Sequence, residues 1–185
     1  MTKFRHADSN CKYPDLHDLG LIHTDIKLDN ILLVNDQFKT FPFKGRIPTN
    51  THKKKESPAY TDVLLDSEIR MIDFGCAVFN DGHHPPVVSP RWYRAPEVIL
   101  NLGWSYPIDI WCIGCILAEL FTGSALFPVC DELEHLAAMQ AVTGRKFDWG
   151  MIKRVIEIGH WRGYRNHAAG YVFQVLSSPC TRVHL

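Results

Sequence analysis

Residues 107–121 constrain the fold more than any other stretch of the chain. Pro107 suits the first turn of a helix, Asp109 suits its positive end, and Gly123 suits its stop. Between them apolar side chains fall on nearly every side: Ile108, Ile110, Trp111, Ile113, Ile116, Leu117, Leu120 and Phe121. A helix that is apolar all round is expected in the middle of a domain, enclosed by other elements. It falls short of the ~18 apolar residues needed to span a bilayer, so no membrane role is expected. With 185 residues, one domain with a real core is expected. Hydrophobic residues make up 46% and charged residues 22%, which excludes a disordered chain. A net charge of zero argues against bulk nucleic-acid binding.

Other elements are weaker. Residues 1–15 read as an unpacked lead-in, and Leu16, Leu19, Leu21 and Ile22 begin the organised part. Residues 31–34 read as a short strand and 35–62 as a loop carrying Pro42, Gly45, Pro48 and Pro58. The run Lys53-Lys54-Lys55 inside it reads as solvated surface, with docking or nuclear import as the alternative. Residues 63–72 read as strand, 79–91 as a polar loop with turns at Asp81-Gly82 and Pro85-Pro86, and 96–100 as a short helix. A second helix is expected over 131–142, with Leu133, Leu136, Ala137 and Met139 to Val142 inward. A third is expected over 149–158, with Met151, Ile152, Val155 and Ile156 on one face. Beyond Gly159 the pattern decays, leaving Tyr171-Val172-Phe173 and Val175-Leu176 without a framework. Met1 to His6 lack the apolar core of a signal peptide. The six cysteines (11, 76, 112, 115, 130 and 180) are therefore expected as free thiols in a reducing compartment, with the protein intracellular, in nucleus or cytoplasm.

The chemistry gathers in two turns. Leu21-Ile22 lead into His23-Thr24-Asp25-Ile26-Lys27-Leu28-Asp29-Asn30, and Met71-Ile72 lead into Asp73-Phe74-Gly75. Two anion-rich turns, each held by an apolar run, can meet around a metal–phosphate group. The plainer alternative is an ordinary polar turn at Asp25, Asp29 and Asn30. Cys112-x-x-Cys115 has metal-like spacing, but it lies in an apolar helix and no second pair accompanies it, so zinc is not expected. His83-His84 read as solvated loop residues, with substrate docking as the alternative.

His23 to Asn30, Asp73-Phe74-Gly75 and Ala95-Pro96-Glu97 stand in the order of three protein-kinase signatures, and Asp109 to Gly114 follows them. Tyr93-Arg94-Ala95-Pro96-Glu97 resembles the group that includes the cyclin-dependent, mitogen-activated and Cdc2-like kinases. Thr24, His83-His84 and Glu134-His135-Leu136-Ala137-Ala138-Met139 resemble its LAMMER (Cdc2-like) branch, although Ala138 and Gln140 depart from that signature. The resemblance runs from about Leu16 to about Ile158. It implies a mainly α fold within an α+β superfamily: the C-terminal lobe of a protein kinase over 16–158, with short β-hairpin elements and a divergent tail at 159–185.

The resemblance also implies roles. ATP and Mg²⁺ would be the cofactors, and protein hydroxyls, including those of Ser/Arg-rich splicing-related proteins, the substrates. Asp25 would orient the substrate hydroxyl and accept its proton, and Lys27 would neutralise the γ-phosphate. Asn30 and Asp73 would hold Mg²⁺. His23 would brace the loop, Phe74 would pack behind it, and Gly75 and Glu97 would support the framework. Asp109 would accept backbone hydrogen bonds from the catalytic loop. Arg91, Tyr93 and Arg94 would face the substrate.

Departures set expectations too. No glycine-rich loop, no strand carrying the ATP-gripping lysine and no helix bearing its glutamate partner precede Asp25. The chain is therefore expected to be a C-lobe fragment with unrelated ends and little activity by itself. Pro90 stands where the family has a Thr that hydrogen-bonds the catalytic Asp and Lys; Ser89 is the candidate substitute. The Arg partner that Glu97 has in the family finds no matching context here. Thr24 removes an Arg that binds an activation-loop phosphate, so independence of that switch is expected. The alternative function is a non-catalytic, kinase-like interaction module.

Overall fold

The computed structural model describes residues 15–42 and 60–158. The chain divides into two compact units, residues 29–72 forming one and the flanking segments the other. In the flanking unit, β1 (Leu21–Ile22) pairs antiparallel with β6 (Val78–Phe79), Leu21 opposite Phe79 and Ile22 opposite Val78. Four helices follow: α1 (Pro96–Ile99), α2 (Pro107–Thr122), α3 (Glu132–Thr143) and α4 (Trp149–Ile158). Gly123 closes α2 in the left-handed region at φ 77°, donating its N–H to the Glu119 carbonyl. Asp131 caps α3, its carboxylate accepting the N–H groups of Leu133 and Glu134 at 2.9 and 3.0 Å.

Two apolar clusters hold these helices. One gathers Ile99, Leu100, Cys115, Phe127, Leu136 and Met139, with Ile152 and Val155 from α4. The other gathers Ile22, Ala95, Val98, Trp104 and Ile108. The second joins Ile22, just before the His23-Thr24-Asp25 turn, to Ile108 at the base of α2.

The expectation of a fully enclosed α2 is corrected. Its buried residues are Ile108, Asp109, Cys112, Cys115 and Ile116, a single stripe at helical spacing. Leu117 is 61% exposed, Leu120 66% and Phe121 92%. All-round hydrophobicity measures how much surface seeks cover; only the neighbours decide how much finds it. Among the described residues those neighbours pack on one side.

In the unit of residues 29–72, β2 (Ile31–Leu33) pairs with β5 (Ile69–Met71), Leu32 opposite Arg70. β3 (Phe38–Pro42) pairs with β4 (Tyr60–Leu64), Thr40 opposite Asp62, whose side chains bond at 2.7 Å. Two expectations fail here. The loop expected over 35–62 contains β3 and the start of β4, and the strand expected over 63–72 is two strands. Phe38-Lys39-Thr40-Phe41 is too short a word to stand out between Pro- and Gly-bearing neighbours, and it becomes a strand only through its ladder to β4. Asp66 breaks the second run by accepting the Glu68 N–H in a tight turn. Gly45, Pro48, Lys53-Lys54-Lys55 and Pro58 lie outside the described residues. So do the lead-in up to residue 14, the tail from 159 with its two apolar words, Cys11 and Cys180.

Smaller corrections concern α3, α4 and the loop after β6. His135 is buried in α3, whereas Val142 is exposed, and Ile156 of α4 is exposed as well. His84 is half-buried and not solvated: its ring stacks on Trp104 with centroids 4.3 Å apart, and Nδ1 lies 3.1 Å from the Trp104 carbonyl. His83 is exposed.

Candidate active site

The site is built on Asp109. This carboxylate is 1% exposed at the start of α2, and a buried carboxylate is tolerable only when its lone pairs are satisfied. It accepts the His23 N–H at 2.8 Å and the Thr24 N–H at 3.0 Å, and His17 Nε2 lies 2.9 Å away. The backbone of the His23-Thr24 turn is thereby fastened to the start of α2. His17 was not anticipated from the sequence. It sits between Leu16 and Leu19 in the weakly patterned start of the organised part, and only the fold brings it across to Asp109 and against the Tyr106 ring at 4.8 Å.

Thr24 and His23 connect the loop to the second turn. Thr24 donates its hydroxyl to the Cys76 carbonyl at 2.8 Å. The buried His23 ring lies 5.0 Å from that of Phe74, and its Nδ1 accepts the Asp25 N–H at 3.3 Å. Phe74 is nevertheless 49% exposed, so it backs the loop with one face of its ring only. Asp25 and Lys27 stand together, with Oδ2 to Nζ at 3.1 Å, both partly buried. Asp73 occupies the left-handed region at φ 63° and accepts the Gly75 N–H at 3.3 Å. Thr24 and Ser89 are left-handed as well, at φ 64° and 66°. Such conformations are costly for non-glycine residues and gather at functional turns. Asn30 belongs to the 29–72 unit, is buried, and accepts the Ile72 N–H on its carbonyl at 3.0 Å.

The segment after Asp73 is braced by the residues expected at the substrate. Arg94 donates to the carbonyls of Val88 and Ser89, both at 3.0 Å, and its guanidinium lies 3.9 Å from Glu132. Arg91 donates to the Cys130 carbonyl at 2.6 Å, and Tyr93 donates its hydroxyl to Glu119 at 2.5 Å. Pro90 caps the 3-10 turn Arg91–Tyr93 without a side-chain bond. The Ser89 hydroxyl is buried beside the Cys112 thiol, whose pKa it lowers against the larger effect of burial, and it makes no hydrogen bond to Asp25 or Lys27. The Cys112 thiol donates to the Tyr93 carbonyl at 3.1 Å. Burial pushes the thiols of Cys112 and Cys115 up to about 12, which keeps both protonated. Among the described residues Glu97 makes no ion pair, and burial raises its pKa above the ordinary carboxylate value while its own N–H opposes the shift.

Asp73 in one unit and Asn30 in the other each carry a side-chain oxygen, the ligand type that suits magnesium better than a softer metal. Among the described residues no three His, Cys, Asp or Glu side chains cluster as a metal cage.

The protein kinase domain family matches residues 13–169. The chain is 52% identical over 139 residues to the dual specificity protein kinase lkh1 of Schizosaccharomyces pombe, covering 75% of this chain and 18% of that protein. It is 44% identical over 142 residues to the dual specificity protein kinase KNS1 of Saccharomyces cerevisiae, covering 76% and 19%. Against the human dual specificity protein kinase CLK2 it is 44% identical over 129 residues, covering 70% and 24%. The chain thus spans about a fifth to a quarter of the length of these relatives. The crystal structure of the PF14_0431 kinase domain superposes with a TM-score of 0.66 at 38% identity, covering 77% of this chain and 40% of that one. The fold is that of a protein kinase domain, and the chain belongs to the protein kinase family, in its LAMMER (Cdc2-like) branch.

Proposed function

We propose that these residues form the C-terminal lobe of an ATP-dependent protein kinase that phosphorylates serine and threonine, with tyrosine as a further acceptor. The carrying observation is the Asp25–Lys27 pair, set on a loop whose backbone is tied to buried Asp109. Phosphoryl transfer needs little covalent chemistry from the protein; it needs positioned groups of the right charge. In this reading Asp25 holds the substrate hydroxyl and takes its proton. Lys27 turns from Asp25 toward the transferred phosphate. On the strength of the family resemblance, Asp73 and Asn30 would each offer an oxygen to magnesium, which would supply positive charge to the phosphates. Arg91, Tyr93 and Arg94 shape the surface that receives the substrate, holding its backbone through the contacts described above. Ser/Arg-rich proteins are the proposed substrates, on the strength of the LAMMER resemblance. The free thiols of Cys112 and Cys115 support a reducing location, nuclear or cytoplasmic.

The 185 residues contain no glycine-rich loop and no paired ATP-gripping lysine, so by themselves they are expected to hold nucleotide poorly. A two-arm experiment tests this. Purified residues 1–185 should give no Mg²⁺-dependent phosphorylation of an Arg/Ser-rich peptide. The same residues joined behind the N-terminal lobe of lkh1 should give it, and Asp25→Asn or Asp73→Asn should abolish it. Turnover by residues 1–185 that Asp73→Asn removes would refute the first expectation. A folded but inactive fusion would favour the second reading, a non-catalytic kinase-like interaction module. One observation supports that alternative: Pro90 lacks the hydroxyl that the family places there, and Ser89 does not replace it. If that loss is what disables the site, Pro90→Thr restores turnover in the fusion.

A further inference from the structure

The segment from Asp73 to Glu97 contains two hydroxyl side chains, Ser89 and Tyr93. The Ser89 hydroxyl is buried, and Tyr93 donates its own to Glu119 at 2.5 Å. A phosphate orders a segment of this kind by giving it a charge for arginine to hold. Here both hydroxyls that could carry the charge are already committed to the interior of the fold. Residues 80–90 nevertheless follow a defined path, and the contacts at its centre are neutral. Trp104, between α1 and α2, is 9% exposed and belongs to the apolar cluster of Ile22 and Ile108. The His84 ring stacks on it, with centroids 4.3 Å apart and planes 11° apart. Two hydrogen bonds run across the stack in opposite directions. His84 Nδ1 faces the Trp104 carbonyl at 3.1 Å, and since a carbonyl only accepts, this nitrogen carries the proton. The Trp104 indole N–H donates to the Pro85 carbonyl at 2.9 Å. The ends of the path are tied as well. Asn80 donates its N–H to the Gly20 carbonyl at 2.8 Å and accepts the Ser105 hydroxyl at 2.6 Å, and Arg94 holds the carbonyls of Val88 and Ser89. Pro85, Pro86 and Pro90 fix φ between those ties.

We propose that the His84–Trp104 clasp takes the place of a phosphate switch: it holds residues 80–90 in their substrate-receiving course in the unphosphorylated chain. The substrate-receiving part rests on the protein-kinase reading; the clasp itself does not. His84 is a positioning residue, acting through the path of Pro85 to Pro90 and not by touching reacting atoms. Its hold comes from ring packing and reciprocal neutral bonds, so adding or removing phosphate leaves it unchanged.

The test has two arms. In the first, the full 185-residue chain is followed by NMR before and after phosphatase treatment. The Trp104 indole N–H should exchange slowly, and the indole ring current should move the His84 ring protons upfield, identically in both samples. His84→Ala should speed exchange of that indole N–H at least tenfold and leave the Leu133 and Glu134 amides at the α3 cap unchanged. Should His84→Ala fail to fold, His84→Gln removes the stack while keeping a donor and should show the same acceleration. In the second arm, the fusion behind the N-terminal lobe of lkh1 is assayed on the Arg/Ser-rich peptide. His84→Ala should raise KM at least fivefold with kcat within twofold. His84→Phe, which restores a stacking ring, should recover part of that loss, and phosphatase should alter neither constant of the unmodified fusion. Indole exchange indifferent to His84, a phosphatase effect on either sample, or a loss confined to kcat would overturn the proposal. An inactive fusion alongside the expected exchange result supports the clasp and counts against the kinase reading, so the two failures are told apart.

Discussion

His135 carries a measurable consequence of burial. Its ring is 2% exposed, packs at 5.2 Å against Phe127, and leaves Nε2 without a hydrogen-bond partner. Burial first, then the positive charges of Arg94 and Arg91, lower its pKa from 6.5 to about 4. The folded chain therefore binds fewer protons than the unfolded one between those values, so stability present above pH 6.5 is lost as pH falls toward 4. A shift of this size corresponds to about 3 kcal/mol. Urea unfolding at pH 7 and pH 4 should show the unmodified chain losing about that much more than His135→Gln; equal losses would contradict it. Asp109 is the other residue whose replacement is informative. Asparagine keeps the shape but places an amide N–H2 where two backbone N–H groups and His17 need acceptors. Asp109→Asn should cost ~2–4 kcal/mol, since hydrogen bonds to a buried charge are worth more than neutral ones. Faster amide exchange at His23 and Thr24 would localise the damage, and unchanged exchange there would disprove the anchoring role.

Among the elements, α3 was the most legible. Asp131 before an apolar run with Glu134 three positions on is a recognisable helix start, and the cap is present as two hydrogen bonds. Asp131→Ala should lower stability by about 1 kcal/mol in thermal unfolding, and Asp131→Asn by much less. The strands were legible only in part. β2 announces itself through Ile31 to Leu33, a β-branched and apolar word. β3 does not, because its pattern is short and its residues are exposed on both faces, so no core pressure marks the sequence. The helix α2 was placed correctly from Pro107 to its glycine stop, yet its surroundings were misjudged. Local signals govern where a helix begins and ends; burial of its faces depends on partners far along the chain.

For the molecule as a whole, the exposed face of α2 has a practical outcome. Ile110, Leu117, Leu120 and Phe121 present apolar side chains, with Phe121 almost fully open. Patches of this kind drive association. The purified 185-residue chain should sediment as oligomers at micromolar concentration, and L117E/L120K/F121S should sediment as a monomer with an unchanged far-ultraviolet circular dichroism spectrum. A monodisperse, cooperatively melting monomer of the unmodified chain would show that this face finds cover. The sequence by itself determined the family, because His23 to Asn30, Asp73 to Gly75 and Ala95 to Glu97 are contiguous words whose order is specific. It also determined the ends of α2 and α3, because caps are local. The tertiary structure alone decided that His17 joins Asp109, that Ser89 turns its hydroxyl into the interior instead of replacing the lost threonine, and that His84 stacks on Trp104. Those pairings join residues far apart in the chain, and no local preference encodes a contact whose energy exists only once both partners have been brought together and dried.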